Sequence, residues 1–197
     1  MKKIALILIL LPFYGFAQNL GFPGGKDLPN ISGMIGIPFG KTKFECITLM
    51  KAKGYVSISS KSEYLTFKNV KYGNYKAPSV AFYFYKGKFF QGLVILIPNA
   101  EPKAFDEYES LVADINEKYD ESDPIRDFKT PYSLGDGYEV TAIMGGYTEI
   151  SDTWKNKGLG TIVAKINKTL LITVDYYHID MTASALKEQN TKNLMDF

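Results

Sequence analysis

Hydrophobic and polar positions change pattern sharply along this chain. The first pattern is an unbroken apolar run from Ile4 to Phe16, led by Lys2 and Lys3 and closed by Gly15-Phe16-Ala17 before Gln18. A charged start, a short apolar stretch and small residues at its end predict a Sec-type signal peptide over residues 1–17, cleaved at about Ala17/Gln18. The run is too short to cross a hydrocarbon core of about 30 Å stably. Residues 18–33, rich in Gly, Pro and Asn, have no period and predict a flexible leader.

From Ile35 the pattern becomes that of a folded domain. Thr42-Lys43-Phe44-Glu45 has the form of a capping box, and Phe44, Ile47 and Met50, widened by Cys46 and Leu49, predict the buried stripe of a helix over about 42–53. Gly54 supplies its stop. Extended runs follow at Tyr55 to Ser59, Tyr64 to Val70, Ser79 to Tyr85 and Phe89 to Ile97. In the third, Val80, Phe82 and Phe84 alternate with Ala81, Tyr83 and Tyr85, the period of a strand, and Lys86-Gly87-Lys88 closes a hairpin.

Phe105, Tyr108, Leu111, Val112, Ile115 and Tyr119 form one continuous helical stripe, which predicts a second helix over about 103–119. Residues 120–137 are rich in Asp, Pro, Ser and Gly and are expected to be a loop pinned by Ile125, Phe128 and Tyr132. Asp136 to Glu139 again has capping chemistry, so 137–144 is expected to be a short third helix turning Val140, Ile143 and Met144 inward. The period-two alternation of Tyr138, Val140, Ala142 and Met144 keeps a strand open there. Strands at about 147–154, 159–166 and 170–179 complete the pattern, before a polar tail at 181–197. The expected fold is α+β: antiparallel sheet covered on one face by helices, in two fused helix-then-meander halves (34–98 and 99–180) of one domain.

Composition narrows the function. Loss of Lys2 and Lys3 with the signal peptide leaves 21 basic against 21 acidic residues, and Arg126 is the only arginine. Neutral charge gives no support to a nucleic-acid partner. The only cysteine, Cys46, lies 29 residues beyond the expected cleavage point. It offers neither a disulfide nor the acylated cysteine of a lipoprotein, so no lipid anchor is expected. No later apolar run is long enough to span a bilayer. The expected location is the periplasm or the medium.

Candidate chemistry is sparse. His178 is the single histidine and, on a strand, shares a face with Tyr176 and Asp180; a strand-end histidine with a hydrogen-bond partner is the plain reading. Cys46 sits among Phe44, Ile47 and Met50, where a buried thiol is expected. Asp120, Glu121 and Asp123 could offer oxygen ligands to calcium but lack the regular loop spacing, and no cofactor is expected. Paired carboxylates for glycan cleavage could exist among the acids, though spacing names no pair. The aromatic surplus, 14 Tyr and 13 Phe, is the remaining signal. Tyr72, Tyr75, Tyr83 and Tyr85 lie on or beside one hairpin and are the candidate binding residues.

The segment Gly36-Ile37-Pro38-Phe39-Gly40-Lys41-Thr42, with the helix ending Leu49-Met50-Lys51-Ala52-Lys53-Gly54-Tyr55, resembles the opening of a group of uncharacterised secreted bacterial proteins. Lys118-Tyr119 to Pro124, Trp154, and Asp175 to Asp180 extend the likeness. The resemblance implies a β-lactamase-inhibitor-protein-like fold, also seen in the small lipoprotein of the outer-membrane barrel-assembly machinery, whose members mostly bind other proteins. The leading expectation is an exported non-catalytic module for a protein partner in the envelope. The alternatives are an envelope glycan- or peptide-directed hydrolase using paired carboxylates, and a carbohydrate-binding module.

Overall fold

In the computed structural model, residues 30–155 and 158–195 are described, with side chains to Thr191. The expected signal peptide, and the leader up to Pro29, lie outside the described residues. A short hairpin opens the fold, β1 (Gly33–Met34) paired with β2 (Ile37–Pro38). Then come α1 (Lys43–Ala52), β3 (Ser57–Ser60), β4 (Tyr64–Tyr72), β5 (Tyr75–Tyr85) and β6 (Lys88–Leu96). The second half contains α2 (Ala104–Tyr119), β7 (Asp123–Phe128), α3 (Glu139–Gly145), β8 (Thr148–Lys155), β9 (Gly160–Ile166) and β10 (Ile172–His178), and α4 (Ile179–Met195) follows.

The eight longer strands form one antiparallel sheet in the order β3-β4-β5-β6-β10-β9-β8-β7. Each half contributes a four-strand meander, and the halves join where their last strands, β6 and β10, pair from Ile172↔Leu96 to Tyr177↔Gln91. This is the expected α+β architecture. Cross-strand neighbours share a face. The rows Leu65, Phe82, Gly92, Tyr176, Ile162, Trp154 and Phe67, Val80, Val94, Val174, Ala164, Asp152 are therefore one side of the sheet, and every residue in them is buried. Cys46 and Met50 of α1, the stripe of α2 and Ile143 of α3 pack on that side.

The predicted helices occur for the predicted reasons, with local corrections. Thr42 and Glu45 complete the capping box on α1: the Glu45 N–H donates to Thr42 Oγ1 and the Thr42 N–H donates to Glu45 Oε2 at 2.8 Å. Phe44, expected inward, is 78% exposed. At about 100° per residue it lies nearly opposite Cys46, and the buried Cys46–Met50 pair sets the helix phase. In α2, Tyr108, Leu111, Val112 and Ile115 are buried as expected, with Phe105 and Tyr119 at the margin.

The segment expected to be a loop at 120–137 contains β7, the edge strand beside β8. Its sequence, Asp-Pro-Ile-Arg-Asp-Phe, has little apolar alternation because an edge strand faces water along one side. Phe128 packs on the core, but Ile125 is 46% exposed. Asp136 does not cap α3. Its carboxylate accepts from the Tyr138 and Ser133 N–H groups and ties the preceding turn instead, while Met144, expected inward, is 46% exposed. The polar tail forms the continuous helix α4.

The leader was expected to end at residue 33, yet Ile31 is fully buried, as are Met34 and Ile37. This strap crosses the sheet where glycine leaves room. A Cβ on Gly92 would sit 2.5 Å from Met34 Sδ, and one on Gly160 would sit 2.5 Å from the Ile31 carbonyl oxygen.

Candidate functional site

The four candidate tyrosines do not make one surface. Strand alternation alone would put Tyr75, Tyr83 and Tyr85 of β5 on the same side. The β4–β5 ladder passes from Lys68↔Ser79 directly to Val70↔Ala77, with Asn69 at φ 53° beside Pro78, and both strands change phase together. Val70 and Ala77 thereby return to the helix-covered side, fully buried, and Tyr72 and Tyr75 pack against the same core. Tyr83 and Tyr85, beyond the slip, face the other way.

On that other side the register aligns Tyr64, Tyr83, Gln91, Tyr177 and Thr161 across five strands. The next row is Thr66, Ala81, Leu93, Asp175 and Val163. All of these except the buried Ala81 are half-buried, whereas their neighbours on the helix side are fully buried. The Tyr64 and Tyr83 rings lie 6.1 Å apart. Asp175 accepts from Gln91 Nε2, and burial pushes its carboxyl above the ordinary carboxylate range, against the opposing pull of Gln91, Tyr177 and Lys165. Burial, with Asp175 nearby, pushes the Tyr177 phenol up to about 12, so it stays a neutral donor. Tyr85 is engaged elsewhere: its hydroxyl donates to Glu188 of α4 at 2.9 Å.

Tyr72 and Tyr75 belong to a cleft at the far end of the same hairpin, on the helix side. The Tyr72 and Tyr176 hydroxyls are 2.7 Å apart, and burial drives both phenols well above their ordinary range. Tyr75 donates to Asp114 Oδ2 at 3.0 Å. The strap, the β4–β5 turn and the end of α2 enclose about 380 Å³ there, with a second lobe of about 240 Å³ beside it. Sequence reasoning missed this site, because the strap and α2 reach it from positions far apart in the chain.

The remaining candidates have structural roles. Asp123 pairs with Lys155 at 3.2 Å, Asp120 ends α2 at φ 74°, and no group of three His, Cys, Asp or Glu able to hold a metal occurs among the described residues. His178 Nδ1 accepts from the Met181 N–H at the start of α4, and its ring meets Phe39 edge-on. Cys46 is fully buried, which pushes its thiol up to about 12. Glu109 and Asp152 each lie 2.8 Å from Arg126 Nη2. Arg126 lies between the two carboxylates and pairs with both.

No family model matches the chain, and no curated protein or solved structure matches it. No helix among the described residues is long and apolar enough to cross a membrane.

Proposed function

We propose that this chain is an exported, non-catalytic binding module whose open sheet face docks a protein partner in the cell envelope. One observation carries the reading: Tyr64, Tyr83 and Tyr177 come into a single half-buried row, flanked by Leu93 and Val163. Tyrosine supplies large, rigid area with few torsions to immobilise, and its hydroxyl remains able to pair at a wet interface. A sheet fixes such a row more rigidly than a loop would. Export rests on the pattern of residues 1–17. The likeness of the Gly36–Tyr55 segment to secreted proteins with a partner-binding fold points the same way.

The test places a photo-crosslinking residue at position 83 or 177, and at exposed Asp106 of α2 as control, in cells exporting the protein. Discrete crosslinked protein bands are expected from 83 that are lost in a Tyr64→Ser/Tyr177→Ser background, and from 177 that are lost in a Tyr64→Ser/Tyr83→Ser background. Identical bands from all three positions, or none from the sheet face, would reject the docking surface. A glycan ligand would show as sugar-dependent protection from thermal unfolding that the same tyrosine variants abolish.

A further inference from the structure

We infer that the cleft beneath the strap is a second binding site, specific for a short zwitterionic peptide. The larger lobe is bounded by Lys71 and Lys118, and its shallow extension past Ile35 by Lys53 and Lys71; neither carries an acidic side chain on its walls. None of the three lysines has a salt-bridge partner among the described residues. Lys118 Nζ stands 4.8 Å from the centre of the Tyr119 ring, which leaves its ammonium protons free for an anion. Lysine without arginine suits a single carboxylate held by point charges, since bidentate recognition needs the guanidinium fork.

The second lobe is net acidic. It shares the wall of Tyr72, Lys118, Tyr119 and Tyr176 with the first, continues over Leu111 and Ile115, and sets Asp114 and Glu117 against that one lysine. A second anionic group would be repelled there, while an amine would be favoured. The floor between the lobes is the Tyr72–Tyr176 hydroxyl pair, which is neutral and can donate and accept hydrogen bonds to a peptide backbone. The lobe of about 380 Å³ lies in the range of small-ligand sites, and the second, of about 240 Å³, adjoins it. The geometry therefore orients the ligand, with its C-terminal carboxylate among the lysines and its N-terminal ammonium toward Asp114 and Glu117. This site lies on the opposite side of the sheet from Tyr83 and Tyr177, so it is independent of the docking face.

The experiment is calorimetric titration of the full mature protein with tri-alanine, N-acetyl-tri-alanine and tri-alanine amide. The free tripeptide should bind, amidation should weaken it roughly tenfold or more, and acetylation should weaken it less. Lys71→Ala/Lys118→Ala should bring the free peptide down to the level of its amide and flatten the salt dependence. Asp114→Asn/Glu117→Gln should erase the difference between free and acetylated peptide only. Tyr83→Ser should leave all three titrations unchanged. The inference fails if the free and amidated peptides bind alike, if neither binds, or if the lysine variant, shown folded by its thermal transition, binds the free peptide as the parent does.

Discussion

Asp152 is the most buried charged side chain among the described residues, 1% exposed under α2, and replacing it by alanine tests the network built on it. Its Oδ1 accepts from Ser122 Oγ at 2.6 Å, and its Oδ2 accepts from the Tyr108 hydroxyl at 2.6 Å and from Arg126 Nη2 at 2.8 Å. Removing one partner of a buried ion pair costs about 3–5 kcal/mol, because the other charge stays desolvated. Here the survivors keep some partners: Arg126 retains Glu109, and Tyr108 retains the Ala164 carbonyl at 3.2 Å. That places Asp152→Ala at the low end, about 3 kcal/mol. Tyr108→Phe removes the hydroxyl's bond to the carboxylate and its longer one to the Ala164 carbonyl but leaves the pair intact, so about 2 kcal/mol is expected. Urea unfolding followed by the fluorescence of Trp154, the only tryptophan, reads both, with an unchanged denaturant slope as the check that the native state persists. A loss below about 1 kcal/mol for Asp152→Ala at unchanged slope would refute the reasoning, since the carboxylate would then not be what Arg126 depends on.

The capping-box carboxyl of Glu45 is held down to about 2, by Lys41 first and then by the Thr42 backbone and hydroxyl. Its contribution is present above the ordinary carboxylate range and lost as pH falls toward 2, so the stability gap between parent and Glu45→Gln should close between about pH 4.5 and 2 in acid-unfolding titrations. Asp175 has the opposite sign: its folded carboxyl is raised, so stability present below the ordinary 3.8 is lost as pH rises. Asp175→Asn should therefore be more stable than the parent at pH 7 and indistinguishable from it at pH 3, measured by thermal melts at both. Gly160→Ala sets a methyl 2.5 Å from a backbone oxygen of the strap, which cannot rotate away, so protease sensitivity near Ile31 should rise sharply while that of α4 stays constant. Cys46, buried and held as the thiol, should be silent to a thiol-reactive dye in buffer and react stoichiometrically in denaturant.

Periodicity by itself determined the helices that have a wide apolar stripe and the strands that have one buried face. The α2 stripe, the Thr42–Glu45 box and the Val80/Phe82/Phe84 alternation are patterns complete within a short window, so they can be read without knowing what they pack on. Patterns tied to neighbours were not legible. The edge strand β7 is specified by pairing with β8, and the helix phase that exposes Phe44 by what α1 packs on. Where the strap lies depends on Gly92 and Gly160, residues whose contribution is the absence of a side chain. The tyrosines show the division most clearly. Sequence supplied an aromatic hairpin, but the phase slip at Asn69 and Pro78, visible only when two strands are paired, sent Tyr72 and Tyr75 to one side and Tyr83 and Tyr85 to the other. The pairing register is the same on both sides of that point; the backbone at Asn69, with φ 53°, turns the side chains over, and no apolar alternation within either strand announces it.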